Sequence, residues 1–436
     1  MSRVSRTSTL AALLASAAVG ALALAAPAAA QDKTFTVGAL DPVSGAGGTY
    51  GTGMQKATIL AAEEINAAGG ACGARIAVVA EDTQTSPEAA VLAAKKLVEV
   101  NKVQVVMGTW SSGVTLAVMP ITSAAGVPLM NTSGAPAIST QDKDDLVWRF
   151  QATNGRFGRA FAEIAALRGF KRPATMAFNN ASGLGNTEGF EEAWKAKGGD
   201  LVSKVVYEPK QASYRSELQQ ILAANPDVVV MGSYLPDTTI ILREWYQSGQ
   251  NPDLKWIIPG WAANEKLVEA LGPEVTQGVI AVDSISNEGA PSFTHFGEAY
   301  AKATGEPAGA NVYAAMTYDM MVLWGLAMQA SCPDLSPKAI NAKLRAVDDP
   351  AGQKVFGFAE GKAALEAGKT INYEGASSQL ALDEYGDVTP DFSLSVIKDG
   401  KIERERIGSL GTKWAGPLAA RAAATAVRAP PSPPSP

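Results

Sequence analysis

Val105-Val106-Met107-Gly108-Thr109-Trp110-Ser111-Ser112-Gly113 decides the fold. An uninterrupted apolar run ends at a glycine, passes through hydroxyl-bearing residues and enters helical spacing over residues 114–125. A strand without alternation is covered on both faces, as in parallel sheets flanked by helices. Outward from this stretch, residues 34–40, 75–80, 103–107 and 127–130 read as strands, and 53–66, 87–100 and 114–125 as the helices between them. The alternation repeats, with strands over 173–178, 201–207, 227–231 and 255–258 and helices over 155–167, 188–197, 214–224 and 238–248. Val229-Val230-Met231-Gly232-Ser233-Tyr234 echoes the opening stretch, which suggests a duplicated plan. The expected fold class is therefore α/β, with two Rossmann-like lobes of parallel sheet. Residues 292–346 read as helix-rich, 380–382 and 392–397 as strands, and Lys398-Asp399-Gly400-Lys401 as a hairpin turn.

Composition narrows the chemistry. The chain has 436 residues, 47% hydrophobic and 18% charged, a size suited to two globular domains. Its formal charge of −6 would repel a phosphate backbone, so nucleic acid is not an expected partner. There is one histidine, His295, between Phe293 and Phe296 in a helical pattern that suits a structural role. A His-rich zinc site cannot be built, and the two cysteines, Cys72 and Cys332, cannot make a four-thiolate centre. No metal and no cofactor are expected. Gly45, Gly47, Gly48 and Gly51 lack the G-x-G-x-x-G spacing, and Tyr50 stands where the backbone would approach a pyrophosphate.

Residues 1–30 read as a secretory signal: Arg3 and Arg6, an apolar run over 10–26, then Ala28-Ala29-Ala30 before Gln31. Cleavage near Ala30 would place the mature chain outside the cytoplasm, where in an oxidising compartment Cys72 and Cys332 can pair or stay as thiols. Residues 411–436 collapse to Ala, Arg and Pro and read as a disordered tail.

Several residues fall where a parallel sheet binds ligands, at the C-terminal ends of its strands. Ser111 and Ser112 stand between a strand and a helix start, a place that suits a carboxylate and equally suits ordinary capping. Asn131-Thr132-Ser133-Gly134 ends the next strand beside them. Tyr234 and Asp237 take the corresponding edge of the second half, where Asp237 also reads as a helix cap. Trp110 and Trp261 each follow a strand and would wall a cleft between lobes, or else belong to the core.

These residues resemble a known family. Val37-Gly38, Ser44-Gly45 and Tyr50-Gly51, the helix end Glu64-Ile65-Asn66-Ala67-Ala68-Gly69-Gly70, and Glu81-Asp82-Thr83 are similar to periplasmic solute-binding proteins of ABC importers, in the leucine/isoleucine/valine-binding (type I) group. So are Gly126-Val127-Pro128, Tyr234 with Pro236, Leu242-Arg243, Tyr318-Asp319, Tyr373-Glu374-Gly375-Ala376, and Asp383 with Gly386-Asp387.

The resemblance implies two lobes joined by three crossovers near residues 150–152, 283–287 and 389–392. Lobe I would hold 31–150 plus 284–388, and lobe II 151–283 plus 389–410. It also implies a non-enzymatic monomer that binds a small-molecule carboxylate by hinge closure and hands it to an ABC permease in the inner membrane. The carboxylate would rest on Ser112 and Ser133, with a family threonine missing near Gly134 or Ala135. Tyr50 joins the expected contacts. The ammonium would meet Tyr234 and two acidic positions, but these are Asn154 and Gly260 here, leaving only Asp237 as an acid. Since a buried ammonium without an anion is costly, an amine-free carboxylate, planar enough for Trp110 and Trp261, becomes the expected ligand at least as readily as leucine or valine. Two other classes stand beside this one: a ligand sensor for a signalling partner, and a secreted hydrolase using Ser112 or Asp237, which lacks a nearby base because His295 is distant in sequence.

Overall fold

A computed structural model describes residues 33–408. The expected signal and tail lie outside the described residues. The strands are β1 (Thr34–Asp41), β2 (Arg75–Asp82), β3 (Val105–Gly108), β4 (Leu129–Asn131), β5 (Val147–Arg149), β6 (Pro173–Phe178), β7 (Ser203–Tyr207), β8 (Val228–Gly232), β9 (Lys255–Pro259), β10 (Ile280–Ser284), β11 (Gln353–Val355), β12 (Ile371–Tyr373), β13 (Phe392–Lys398) and β14 (Lys401–Gly408). One sheet, in the order β2-β1-β3-β4-β5, is wholly parallel. The other, β14-β13-β10-β9-β8-β6-β7, is parallel from β10 to β7 and carries an antiparallel hairpin, β13 and β14, at its edge. β11 and β12 form a small parallel pair.

The strands form where the sequence is apolar without alternation. Val105, Val106 and Met107 in β3 and Val228, Val229, Val230 and Met231 in β8 are all fully buried, so both faces of each sheet are covered by helices. Each such side chain contributes roughly 1.5–3 kcal/mol relative to exposure. The helix Val312–Ala330 is apolar nearly all round and packs along the helix Gly48–Ala67. The chain leaves the first sheet after β5, returns to that side of the molecule after β10, where the helix Val312–Ala330 packs along Gly48–Ala67, and joins the second sheet again at β13. Three connections therefore run between the two lobes.

Gly108 ends β3 with φ +111, and a Cβ there would lie 2.5 Å from Asp41 Oδ1 and 2.6 Å from the Leu40 carbonyl. Only glycine lets the chain turn there into the helix Ser112–Ala124.

Some expectations are corrected. Residues 380–382 are not a strand: Leu380 and Ala381 have φ of 60 and 54, and the Leu382 N–H donates to Asp348 rather than to a ladder. Leu380 is apolar because the loop is buried there. The helix over 87–100 is α-helical for Pro87–Lys95 and continues as a π-helical turn over Lys96–Val100. The hairpin turn is present, with Asp399 and Gly400 both at positive φ, as a two-residue turn requires. β5, β10 and the helix Glu265–Thr276 were not legible in the sequence pattern.

Candidate ligand-binding site

The C-terminal ends of the two sheets face each other across a small cavity lined by Trp110, Thr132, Gly134, Gln151, Asn154, Ser182, Tyr234, Trp261 and Tyr313. Trp110 follows β3 and Thr132 and Gly134 follow β4; Gln151 and Asn154 follow β5. Ser182 stands at the start of the helix Ala181–Ala196, whose cap Asn180 accepts from the Ser182 and Gly183 N–H groups. Tyr234 follows β8 and Trp261 follows β9. Tyr313 comes from the first turn of the long helix Val312–Ala330.

Aromatic rings make the walls. Trp110 lies against Tyr234 at 4.8 Å between ring centroids and meets Tyr313 edge-on at 5.9 Å. Polar contacts cross between the lobes beside them. The Tyr234 hydroxyl donates to Ser111 Oγ at 3.1 Å, and the Tyr50 hydroxyl donates to the Trp261 carbonyl at 3.3 Å while accepting from Asn264 at 2.7 Å. Burial raises the phenol of Tyr234, and burial together with the nearby Asp283 raises those of Tyr50 and Tyr313, so all three remain neutral donors.

None of the lining residues is charged, yet three of them hold buried polar atoms without a partner: Thr132 Oγ1, Gln151 Nε2 and Asn154 Nδ2. The Gln151 amide is oriented by its own bonds, and the backbones of Asn154 and Thr132 are tied to the loops beside them. Gln151 Oε1 accepts from its neighbour Ala152 N–H and from the Ser284 hydroxyl, leaving its amide NH₂ unengaged. The Asn154 N–H donates to the Gly134 carbonyl at 2.6 Å, and Thr132 N–H to the Thr109 carbonyl at 3.2 Å. The three atoms are neutral donors at the edge of an apolar box. That arrangement suits an acceptor-rich anion, since each bond to a charged acceptor is stronger than a neutral one.

Trp110, Gly134, Asn154, Tyr234 and Trp261 from the expected set line the cavity; the others do not. Ser112 Oγ accepts from the Ala135 N–H at 3.1 Å. The Ser133 hydroxyl is held by Thr115 Oγ1 and the carbonyls of Thr109 and Trp110. Both serines thus brace the loop, and Thr132 presents the free hydroxyl in their place. Ser111 and Tyr50 make the contacts between lobes described above. Asp237 is turned away: its Oδ1 accepts from the Tyr214 hydroxyl at 2.9 Å and from the Lys210 N–H, and burial raises its carboxyl.

The expectation that only Asp237 remains to supply an acid is corrected as well, because Asp283 at the end of β10 lies against Gly260. A Cβ at Gly260 would stand 2.4 Å from Asp283 Oδ2 and 2.6 Å from its Cγ. Sequence reasoning also missed Gln151, Ser182 and Tyr313. Gln151 falls inside an expected crossover and Thr132 inside a quoted strand end, so position pointed to both. Ser182 and Tyr313 arrive from distant helices, and no local pattern marks them. Cys72 and Cys332 are bonded, with Cα atoms 5.8 Å apart, well away from the cavity between the loop before β2 and the end of Val312–Ala330.

Two α/β lobes that enclose a small cavity between their strand ends, joined by three connections, define a type I two-lobed solute-binding protein. The chain belongs to the periplasmic binding protein family, whose model matches residues 34–367. It is 27% identical over 361 residues to Leu/Ile/Val-binding protein homolog 7 of Brucella suis, covering 79% of this chain and 88% of that one. Among solved structures it resembles leucine-binding protein LivK of Thermotoga maritima (TM-score 0.74, 20% identity, 86% of this chain and 99% of that chain). It also resembles LivJ of Streptococcus pneumoniae in complex with isoleucine (0.71, 21%, 88% and 100%). A solute-binding protein of R. palustris in complex with benzoate is similarly close in fold (0.70, 22%, 88% and 98%).

Proposed function

We propose that this chain is the extracytoplasmic solute-binding component of an ABC-type importer, that it takes a small carboxylate, and that its lobes close over the ligand. The observation that carries the ligand class is the set of unpartnered buried donors, Thr132 Oγ1, Gln151 Nε2 and Asn154 Nδ2, on an aromatic cavity with no charged lining residue. Left without an acceptor, each buried donor costs about 1–3 kcal/mol, and a carboxylate satisfies them together. Trp110, Tyr234, Trp261 and Tyr313 favour a flat or branched apolar body. The isoleucine and benzoate held by the two similar proteins are both of this kind.

A binding role fits the chain better than hydrolysis. Ser112 Oγ accepts from the Ala135 N–H, and no side-chain base is bonded to it among the described residues. His295 pairs with Glu64 near the far end of the helix Gly48–Ala67, roughly 20 Å along that helix from Tyr50 at the cleft. No histidine base stands beside Ser112.

Calorimetry on the purified protein tests the reading, with a panel of branched amino acids, their 2-oxo analogues, aromatic acids and the methyl ester of each. Micromolar or tighter binding of at least one acid, lost in its ester, is the expected result. Equal affinity for acid and ester overturns it.

A further inference from the structure

Asp283 is the acid that the cavity lining omits. It ends β10 next to the connection back to the first lobe, and its carboxyl occupies the space that any side chain at position 260 would need. Gly260 adjoins the wall residue Trp261, and its N–H is tied to the Val282 carbonyl, so Asp283 is held at the foot of that wall. Of its two carboxylate oxygens, Oδ1 accepts from the Ser284 N–H at 2.9 Å, while Oδ2 accepts no hydrogen bond among the described residues. The side chain is only half-buried by surface area. Yet the surrounding protein desolvates it strongly, and its charge acts on Tyr50 and on the wall residue Tyr313. Oδ2 keeps some exposed surface, so a donor from outside the protein can reach it. The guanidinium nearest in effect, Arg404, is engaged by Glu288 through both oxygens.

We propose that Asp283 is a specificity-determining residue that accepts a hydrogen bond, through Oδ2, from a donor group on the ligand, either an ammonium or a hydroxyl, carried beside the carboxylate. This rests on the carboxylate reading of the same cavity. The neutral donors Thr132, Gln151 and Asn154 would take the anion, and Asp283 would take the donor, so the cleft reads a ligand of two polarities. Burial pushes the Asp283 carboxyl up to about 7, the state of an acid that lacks a donor to satisfy it. A small residue at 260 is what admits this carboxyl: with a side chain just past β9 there would be no room for the one on β10.

The test compares wild type with Asp283→Asn by calorimetry, using two ligand pairs that differ in the donor: 2-hydroxy-4-methylpentanoate with 4-methylpentanoate, and leucine with 4-methyl-2-oxopentanoate. In at least one pair wild type should bind the donor-bearing member about tenfold or more tightly, the scale of one hydrogen bond to a charged group. Asp283→Asn should erase that ratio while moving the donor-free member less than about threefold. Wild type that binds acids without preferring a donor in either pair overturns the proposal, whether or not the variant folds. A preference that survives in a folded Asp283→Asn protein overturns it also. Wild type that binds no acid of either pair overturns the carboxylate reading and this proposal with it.

Discussion

Trp110 and Tyr234 occupy the same place in the two halves of an internal echo, and their rings lie 4.8 Å apart across the cleft. Val105-Val106-Met107-Gly108-Thr109-Trp110 and Val229-Val230-Met231-Gly232-Ser233-Tyr234 each run a buried strand to its C-terminal end and place an aromatic residue one step past the turn. Because the two sheets present those ends to each other, equivalent positions meet. The repeat in sequence thereby becomes a pair of walls in space.

The contact beside that pair gives the first prediction. The Tyr234 hydroxyl donates to Ser111 Oγ across the lobes, so Tyr234→Phe should keep the ring contact and lose only the bond. A neutral hydrogen bond contributes about 0.5–1.5 kcal/mol, so the dissociation constant of whichever acid binds should rise about two- to tenfold. Tyr234→Ala should weaken binding further. Calorimetry of both variants checks this, and a Tyr234→Phe protein with unaltered affinity would detach the bond from the bound state.

Two lobes on three connections should also move. If ligand contacts both lobes only when they approach, binding shifts the hinge equilibrium by the difference in affinity between the two states. The radius of gyration from X-ray scattering should shrink on adding an acid that calorimetry shows to bind. Superimposable curves at saturating ligand would argue against hinge closure.

Strand ends were the legible part of the site. Trp110, Gly134, Asn154, Tyr234 and Trp261 could be found because each follows an apolar run or a crossover, and parallel sheets bind at that edge. Which neighbour of a serine faces the ligand was not legible, since it depends on backbone turns. Ser133 is drawn inward by Thr115 and two carbonyls, and Thr132 is left with its hydroxyl free. Asp283 was hidden for another reason. It fills the space of residue 260 from the adjacent strand, a pairing set by the β9–β10 register and visible only in three dimensions. β5 escaped notice because three residues are too few for a periodic signal.

Buried acids make the stability depend on pH in an unusual direction. Burial pushes Asp348 up to about 7 and Asp319 up to about 6, the latter in spite of bonds from Ser377, Tyr373 and the Ala376 N–H. In the unfolded chain both would titrate near 4. Since the folded-state values are raised, the folded protein holds more protons between about pH 4 and 7, and the stability these groups contribute is lost as pH rises through that window. At the acid end the trend reverses. Asp82, although partly buried, is held low by Ser44 and Gln84, and its contribution is lost as pH falls below the unfolded value. The melting temperature should therefore be higher near pH 5 than near pH 8. Asp348→Asn should shrink that difference, and a melting temperature that climbs steadily from pH 5 to pH 8 would contradict the assignment.

Cys72 and Cys332 close a loop of 260 residues, and the Cys72 N–H also donates to Gln329 Oε1 at 2.7 Å. Lys362 pins the same loop through the carbonyls of Ala68 and Gly70. Losing the covalent link should cost about 2–5 kcal/mol. Reductant should lower the melting temperature of wild type and leave Cys72→Ser/Cys332→Ser unaffected, with ligand affinity little altered because the bond lies far from the cavity. Identical melting of wild type with and without reductant, after thiol counting confirms reduction, would count against a stabilising role.

Gly134 and Asn154 provide the sharpest test of the cavity, because one must be small for the other to reach it. A Cβ at Gly134 would stand 2.0 Å from Asn154 Oδ1, 2.6 Å from its Cγ and 3.1 Å from its backbone N. The backbone contact cannot be relieved by a rotamer change, since the Asn154 N–H is bonded to the Gly134 carbonyl. Gly134→Ala should therefore force the two lobes apart at the cavity. Binding should fall by at least about tenfold, while the melting temperature of the protein without ligand changes little, because the first lobe's own packing does not depend on that approach. Asn154→Asp asks a different question at the same spot. It keeps the shape but replaces an unpartnered donor with a negative charge beside the expected anion, and like charges in a desolvated site repel strongly. Carboxylate binding should then be lost near neutral pH and partly recovered in acid, where the new carboxyl is protonated. An Asn154→Asp protein that binds the acid as tightly as wild type at pH 8 would place the anion elsewhere in the cleft.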